Sequence, residues 1–590
     1  MCSAAWWRCI GRSPEVPAPL VLDAWAAQTC PVKTWYAHSP GVAAPEPRPD
    51  ESLRESFAGG QSLVDEVLDS IVRQVRGQVI DLRPLTDRPV EEQLAACRAA
   101  LASGPLLIIG GLLPGPPNGH RSGRPHLLVR GTDTGDTRPG FHPVQIKRRR
   151  LTEPRIGDRS PIRVSSLAHP SPDAARALAE RTLKPPRDRD GYLLQLAHYW
   201  RLLQSTGYAA AEPPLAGVIG TDDYLFDPAG EPAPGIGWIP LDVPLVRTFS
   251  RSSDTGWRLR TALERYDHEF DFRLKVAETA RAGGPQLVQP IRNRECQSCA
   301  WWQRCEPVLG ADDISVRIDK TPLDVREIGV LRGLGIRTVT ELAETELAEL
   351  KPRYLPEVRH REGAEKRIEN AHRRARLMLA GVELERVTTG PIDVPAAEIE
   401  VDLDLETSAD DRIYLWGFWV HDRRPGAETS EPRFVEFSAW SDLDAEGEQA
   451  LAVRALGWLR ELAGSAEVRV YHYSPFEVHH VQRLAAAAPD HPVLGWALDH
   501  TAEWCDLFTV VRDHYFGTRG LGLKVVATLG AGFRWRDEEP GGLASQAWFA
   551  EACHGPTPEA RAAARQRVLD YNEDDVRATW RLRHWLRAQP

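Results

Sequence analysis

Residues 401–419 read VDLDLETSADDRIYLWGFW, and in them Asp402, Asp404 and Glu406 alternate with Val401, Leu403 and Leu405. In a strand, residues two apart face the same side, so the three carboxylates project together while the aliphatic residues pack behind them. Carboxylates held side by side repel one another unless water or a cation intervenes, and hard oxygen donors of this kind suit Mg²⁺ or Mn²⁺. An exposed edge strand that uses acids to discourage aggregation would explain one such row. A second acidic cluster, YNEDDVRATW at 571–580, argues for more, because Tyr571 and Asp575 are four apart and share one face of a helix. Between them lies VYHYSPFEVHHVQRL (470–484), where a strand ends and Glu477 enters a helix; Asp506, in WCDLFTVVRD, competes with Glu477 as the intermediate acid. The neighbouring His479–His480 pair reads as helix surface.

A second set of chemically able residues is sulfur. Cys296-x2-Cys299-x5-Cys305, in ECQSCAWWQRCEP, supplies three soft thiolates at a spacing that suits zinc or an iron–sulfur cluster, and both generally take four ligands. Cys30, in TCPVKTWYAH, is the preferred fourth, with Cys97 behind it. Basic runs, KRRR at 147–150 and HRRARL at 372–377, stand in a chain whose net charge is −10. That total argues against indiscriminate coating of a polyanion, although local charge distribution still sets the local field.

The elements that must position these residues can be read from patterning. At 590 residues the chain has room for two to four domains. Hydrophobic and charged contents of 42% and 26%, with no long apolar run, describe a protein without a membrane span. The opening MCSAAWWRCI lacks the pattern of a signal peptide, so a cytoplasmic location and reduced thiols are expected. Amphipathic helices are expected at 56–80 and 91–104, strands in PLLIIGGLL, HLLVRG and FHPVQIK, and a long helix from GYLLQLAHYWRLLQ. Residues 318–385 are helical in pattern, and LRGLGIRTVTELAE (331–344) reads as a helix-hairpin-helix element or a plain connector. From 399 onward, strands IEVDLDLET, RIYLWGFWVHD, RFVEFSAW and EVRVYHY alternate with helices, ending in one long helix from 560 to 587.

In their order and chemistry, Asp404-Leu-Glu406, the acid after the middle strand and Tyr571-x-x-x-Asp575 resemble the DEDD exonucleases of the subgroup that ends in Tyr-x-x-x-Asp. The resemblance implies an RNase H-like fold and 3′–5′ cleavage of single strands by two Mg²⁺ or Mn²⁺ ions. It implies that Asp404, Glu406 and Asp575 are ligands, that Glu477 stands where the family usually has Asp, and that Tyr571 orients the attacking water.

The first half resembles RecB-type nucleases of the iron–sulfur class: an early Cys-Pro, a PD-(D/E)xK core, then the Cys-x2-Cys-x5-Cys run. That resemblance implies a 4Fe-4S cluster on Cys30, Cys296, Cys299 and Cys305 that staples the two ends of the domain. Its helix motif is present as Gln195-x-x-x-Tyr199 and its strand motif as Gln145-Ile-Lys147, with Gln145 in place of an acid. His126 stands where the family has Asp, and Asp65 and Glu66 where it has His. The metal site reads as degenerate, and the fold is expected to serve as a clamp, with Lys147 and Arg148 to Arg150 on phosphate; the alternative is that His126, Asp65 and Glu66 rebuild a Mn²⁺ site, which would make the chain a dual nuclease.

The sequence thus predicts a multidomain α/β chain: a RecB-like, restriction-endonuclease-type core with an iron–sulfur staple (1–312), a helical connector (313–390) and an RNase H-like domain (391–590). The function expected is that of a metal-dependent nuclease on single-stranded DNA or RNA, with room for a helicase partner. The rival is an inactive nucleic-acid-binding scaffold in a repair or defence complex.

Overall fold

The computed structural model describes residues 19–45, 51–75, 77–211, 213–226, 231–318, 323–424, 431–464, 466–537 and 542–590. They fold as two compact units. The first runs to Ala311 and includes Val325–Val330 and Pro352–Ala364; the second takes Asp312–Asp324, Leu331–Lys351 and Glu365–Pro590.

The first unit is built on an eight-stranded mixed sheet. Its order is Val79–Asp81, Leu107–Ile109, Leu127–Arg130, Phe141–Ile146, Leu215–Tyr224, Ala233–Pro240, Ile162–Ser166 and Arg176–Leu178. Strands Phe141–Ile146 and Leu215–Tyr224 are parallel neighbours, and helix Pro186–Thr206 lies between them in the chain, as a parallel crossover requires. Both faces of the central strands are covered, so every residue of Phe141–Ile146 is buried and its sequence lacks alternation. The crossover helix buries Leu193, Leu196, Ala197 and Trp200 in one cluster and Tyr199, Leu202 and Leu203 in another. Gly207 ends it in the left-handed region at φ 76°, where its N–H reaches the carbonyls of Leu203 and Gln204.

In the second unit the strand order is Arg433–Ser438, Ile413–Asp422, Ile399–Thr407, Val468–His472, Cys505–Asp506. The first three are antiparallel and the last two join parallel to the third. The acidic strand is therefore at the centre of the sheet, which removes the edge-protection explanation for its carboxylates. Val401, Leu403 and Leu405 pack with Leu451, Leu456 and Leu459 of helix Ala445–Ala463 and with residues of helix Phe476–Ala487. The carboxylate face is covered by the 30-residue helix Pro558–Arg587. That helix starts with Thr557 capping the Ala560 N–H and Pro558 in the first turn, and ends with His584 and Arg587 at its negative pole.

The glycine turn in 331–344 joins helices Val325–Gly333 and Val339–Glu344. Its amides are used inside the chain: Glu341 Oε2 accepts from the N–H groups of Arg337 and Thr338, Thr338 Oγ1 from Glu341 and Asp312 from Thr340. A phosphate would have to displace a complete capping box there. Among the described residues no helix is long and apolar enough to cross a membrane.

Candidate metal centre

Four carboxylates, Glu400, Asp402, Asp404 and Glu406, leave the same face of the central strand, and helix Pro558–Arg587 presents Tyr571, Asp575, Thr579, Arg583 and Arg587 at four-residue intervals along the stripe that meets them. The two ends of this contact differ in charge. At one end Arg583 donates from Nε to Asp402 Oδ1 at 3.0 Å and from Nη2 to Asp402 Oδ2 at 3.1 Å, and it also binds Glu400. Arg587 adds a contact of 2.8 Å to Glu400 Oε1 and Arg423 one of 3.2 Å. Glu400, Asp402 and Arg583 are all fully buried. The row of three carboxylates expected to project together is thus divided, and Asp402 belongs to the arginine cluster.

At the other end no arginine among the described residues pairs with the acids. Ligand oxygens of Asp404, Glu406 and Asp575 all lie within 4.8 Å of one another. Each carboxylate receives a hydrogen bond from a neutral donor: Asn572 Nδ2 to Asp404 Oδ2 at 2.7 Å, Ser545 Oγ to Glu406 Oε2 at 2.6 Å, and Trp535 Nε1 to Asp575 Oδ1 at 2.6 Å, with the Tyr571 hydroxyl as a second donor to Asp575. These bonds fix the carboxylates in place without neutralising them. The cation that faces them is Lys524, whose Nζ donates to Tyr571 Oη at 2.7 Å and whose charge acts on all three. Lys524 and the donors Asn572, Ser545 and Trp535 were not predicted from sequence. Asn572 reaches the strand because Gly417 lies opposite Asp404 in the register, and a Cβ there would sit 1.6 Å from Asn572 Oδ1. The glycine between Trp416 and Phe418 was the available signal.

Burial pushes Glu406 from its ordinary 4.5 up to about 8, with the Asp575 charge adding to it. Burial and then the neighbouring carboxylates raise Asp404 well above the usual range, and burial raises Asp575. Tyr571 is also raised, by burial first and then by the three acids. Three desolvated carboxylates at mutual contact distance fit a divalent cation, which supplies the charge that Arg583 supplies at the other end. Metal must then displace protons. Mn²⁺ affinity is expected to climb from pH 6 to about pH 8 and level off above it. At pH 7 binding should release protons, so the heat of a calorimetric titration will change with the ionisation enthalpy of the buffer; a heat independent of buffer would contradict this. Since the folded state has the higher pKa, metal-free stability should fall as pH rises from 4.5 through about 8.

Glu477 is buried in the first turn of helix Phe476–Ala487, 3.3 Å from His472 Nδ1, and its charge acts on Asp404. It stands beside the three clustered acids and is not within 4.8 Å of them all. Ser474, in the preceding turn, has φ 98°, a strained value for a residue with a side chain. Asp506 holds that turn: its Oδ1 accepts from Ser474 N at 3.0 Å and Phe508 N at 2.9 Å, and its Oδ2 from Thr509 at 3.1 Å. It is a turn clamp and a helix cap rather than a rival ligand. His480, expected on the helix surface, is buried against Phe476 and Arg483.

In the first unit the predicted residues form a chain of neutral and cationic groups. Lys147 Nζ donates to Gln195 Oε1 at 2.6 Å, Gln195 Nε2 to Tyr199 Oη at 3.2 Å, and Tyr199 Oη to the Arg124 carbonyl at 3.2 Å. His126 Nδ1 accepts from the Ile146 N–H at 3.0 Å, and burial and then the Lys147 charge lower it to about 4. The Gln145 side chain is buried with neither amide atom hydrogen-bonded. Asp65, on helix Glu51–Gln74, lies 3.8 Å from Arg83, and neither it nor Glu66 joins His126 in a group of three ligand atoms. This donor set does not fit Mg²⁺ or Mn²⁺.

Cys30, Cys296, Cys299 and Cys305 line one pocket with Trp301 and Trp302, whereas Cys97 is buried in a separate hydrophobic cluster. Glu295 joins the two chain segments by accepting from the Cys30 N–H at 3.0 Å and pairing with Lys33. Burial raises Cys30 and Cys296 and pushes Cys305 up to about 12, with the facing thiolates adding to each. Among the described residues no group of three ligand atoms within 4.8 Å contains a cysteine, so the sulfurs are not gathered at the ~3.8 Å separation that tetrahedral zinc with Zn–S bonds of about 2.3 Å would impose.

The RNase_H superfamily sequence model matches residues 401–587, which contain all of the carboxylate centre. No curated protein matches the chain.

Proposed function

We propose that the RNase H-like second unit is a metal-dependent nuclease, acting as a 3′–5′ exonuclease on single-stranded DNA or RNA. The observation that carries this reading is the asymmetry along one strand. Arginines neutralise Glu400 and Asp402, while Asp404 and Glu406 meet a further acid, Asp575, and are held by neutral donors.

Two divalent ions, when bound, supply Lewis-acid stabilisation of the attacking and leaving oxygens of a phosphodiester. Asp404, Glu406 and Asp575 would hold them. Asn572, Ser545 and Trp535 keep the carboxylate planes from turning away. Tyr571, bonded to Lys524, keeps its proton through neutral pH and orients the water. Glu477 would complete the acidic wall from the side of the strained Ser474 turn and offer a further carboxylate acceptor to the water.

Residues 1–312, in this reading, form a RecB-like domain with a retired metal site that binds substrate, joined by a helical connector (313–390) to the catalytic domain (391–590). Among the described residues no carboxylate pairs with Lys147, whose bonded partner is Gln195, and this supports a binding rather than a cutting role. The four cysteines hold a 4Fe-4S cluster. Support comes from the resemblance and from the four thiols lining one pocket; the sulfurs themselves are not gathered as a cluster would hold them. A helicase partner and a cytoplasmic setting fit such an enzyme.

With Mn²⁺ and a single strand labelled at its 5′ end, the expected products are a ladder shortening from the 3′ end. A strand labelled at its 3′ end should yield labelled mononucleotide from the first turnover. Internal fragments from both substrates would instead make the enzyme an endonuclease.

A further inference from the structure

We infer that the exposed indole of Trp25 and the Lys147 ammonium against it form a stacking site for a base of an unpaired nucleic-acid strand. This deepens the nucleic-acid reading of the chain and rests on it.

Trp25 is 51% exposed, in contrast to its neighbours Ala24, Ala26 and Ala27, which are buried. Its turn is rigid: Asp23 Oδ1 accepts from the N–H groups of Trp25 at 2.9 Å and Ala26 at 3.0 Å, and the Trp25 carbonyl accepts from Gln28 and Thr29. A large aromatic side chain held outward by a fixed backbone loses little conformational freedom when a flat partner covers it.

Lys147 Nζ lies 5.2 Å from the centre of the Trp25 ring and is fixed there by the 2.6 Å bond to Gln195 Oε1. Gln195 is neutral, so this contact gives the ammonium no counter-charge; burial, then the Arg149 charge, lower Lys147 to about 8, which leaves it mostly charged at pH 7. Arg148, Arg149 and Arg150 follow it, all exposed, in a chain of net charge −10. A cation over one face of a half-exposed indole, continued by three guanidinium groups, matches a ligand that brings an aromatic face to the other side of the ring and a polyanionic backbone to the cations. An unpaired strand offers both together, whereas a duplex hides its base faces.

The test uses the full chain carrying Asp575→Asn, in chelator so that no cutting occurs, and an oligothymidine about 20 nucleotides long. Trp25→Ala should weaken binding at least about five-fold, while Trp25→Phe retains most of it. Lys147→Met should lower the slope of log affinity against log salt by about 0.7. The duplex of the same length and a polyglutamate peptide should compete poorly. Unchanged oligothymidine affinity in Trp25→Ala, with an unaltered circular-dichroism spectrum, would overturn the inference, and so would equal competition by polyglutamate. Cleavage by the unsubstituted chain is scored separately. Trp25-dependent binding without cleavage would remove the nuclease reading alone, and cleavage with Trp25-independent binding would remove this one alone.

Discussion

Arg583→Leu should destabilise the second unit by about 3–5 kcal/mol, because it leaves two fully buried carboxylates without their main cation. Burial already pushes Asp402 up to about 6 with Arg583 in place, while in Glu400 the charges of Arg583 and Arg587 outweigh burial and hold it below the ordinary value. Without the guanidinium, Asp402 must be protonated for the chain to fold. The loss should therefore be largest at alkaline pH and smaller near pH 5. Arg583→Lys should not restore stability, since an ammonium cannot give the paired Nε and Nη2 bonds to Asp402 together with the Nη1 bond to Glu400. Adding Asp402→Leu to Arg583→Leu should recover most of the loss, because Glu400 keeps Arg587 and Arg423. Urea midpoints of the four proteins measure this. A loss under ~1 kcal/mol, as for exposed ion pairs, would show the cluster to be far less dry than it is drawn.

At the other end of the same strand the opposite result is expected. Asp575→Asn should lower strand cleavage at least about a thousand-fold, about 4 kcal/mol of transition-state stabilisation. It should also leave the metal-free protein as stable as before or more so. Asparagine keeps an oxygen for the Trp535 indole and removes a charge that raises Asp404 and Glu406. A site whose removal stabilises the fold while abolishing the reaction is kept for chemistry. If Asp575→Asn instead unfolded the domain, Asp575 would be a structural acid like Asp402.

Much of this was legible in the sequence, for physical reasons that differ by residue. Alternation in VDLDLET gave the strand and its two faces, since the period of a strand is fixed by its backbone. The four-residue spacing gave the shared face of Tyr571 and Asp575. Continued down the same helix, that spacing also brings in Arg583 and Arg587, and this continuation would have assigned Asp402 to the arginines. Lys524, Ser545 and Trp535 could not be read in this way, because they arrive from separate segments and no local pattern ties them to the strand. Asp506 and Glu477 looked interchangeable as acids. Their difference lies in the Ser474 turn, whose φ of 98° needs a side-chain acceptor from a neighbouring strand end. In the first unit, strands Ile162–Ser166 and Ala233–Pro240 were missed among loops rich in proline and glycine. Cys30 was preferred as the partner of the later cysteines, with Cys97 as the alternative; Cys30 lines their pocket, whereas Cys97 lies in a separate hydrophobic cluster.

The central claim is that the carboxylates left without arginines at one end of the strand cut a phosphodiester. The direct measurement is Mn²⁺-dependent cleavage of an end-labelled single strand, at saturating substrate, by the unsubstituted chain, Asp575→Asn and His126→Ala. Cleavage by the first and third with none by Asp575→Asn is the predicted result. Cleavage that survives Asp575→Asn and disappears in His126→Ala would place the chemistry in the first unit and contradict the account.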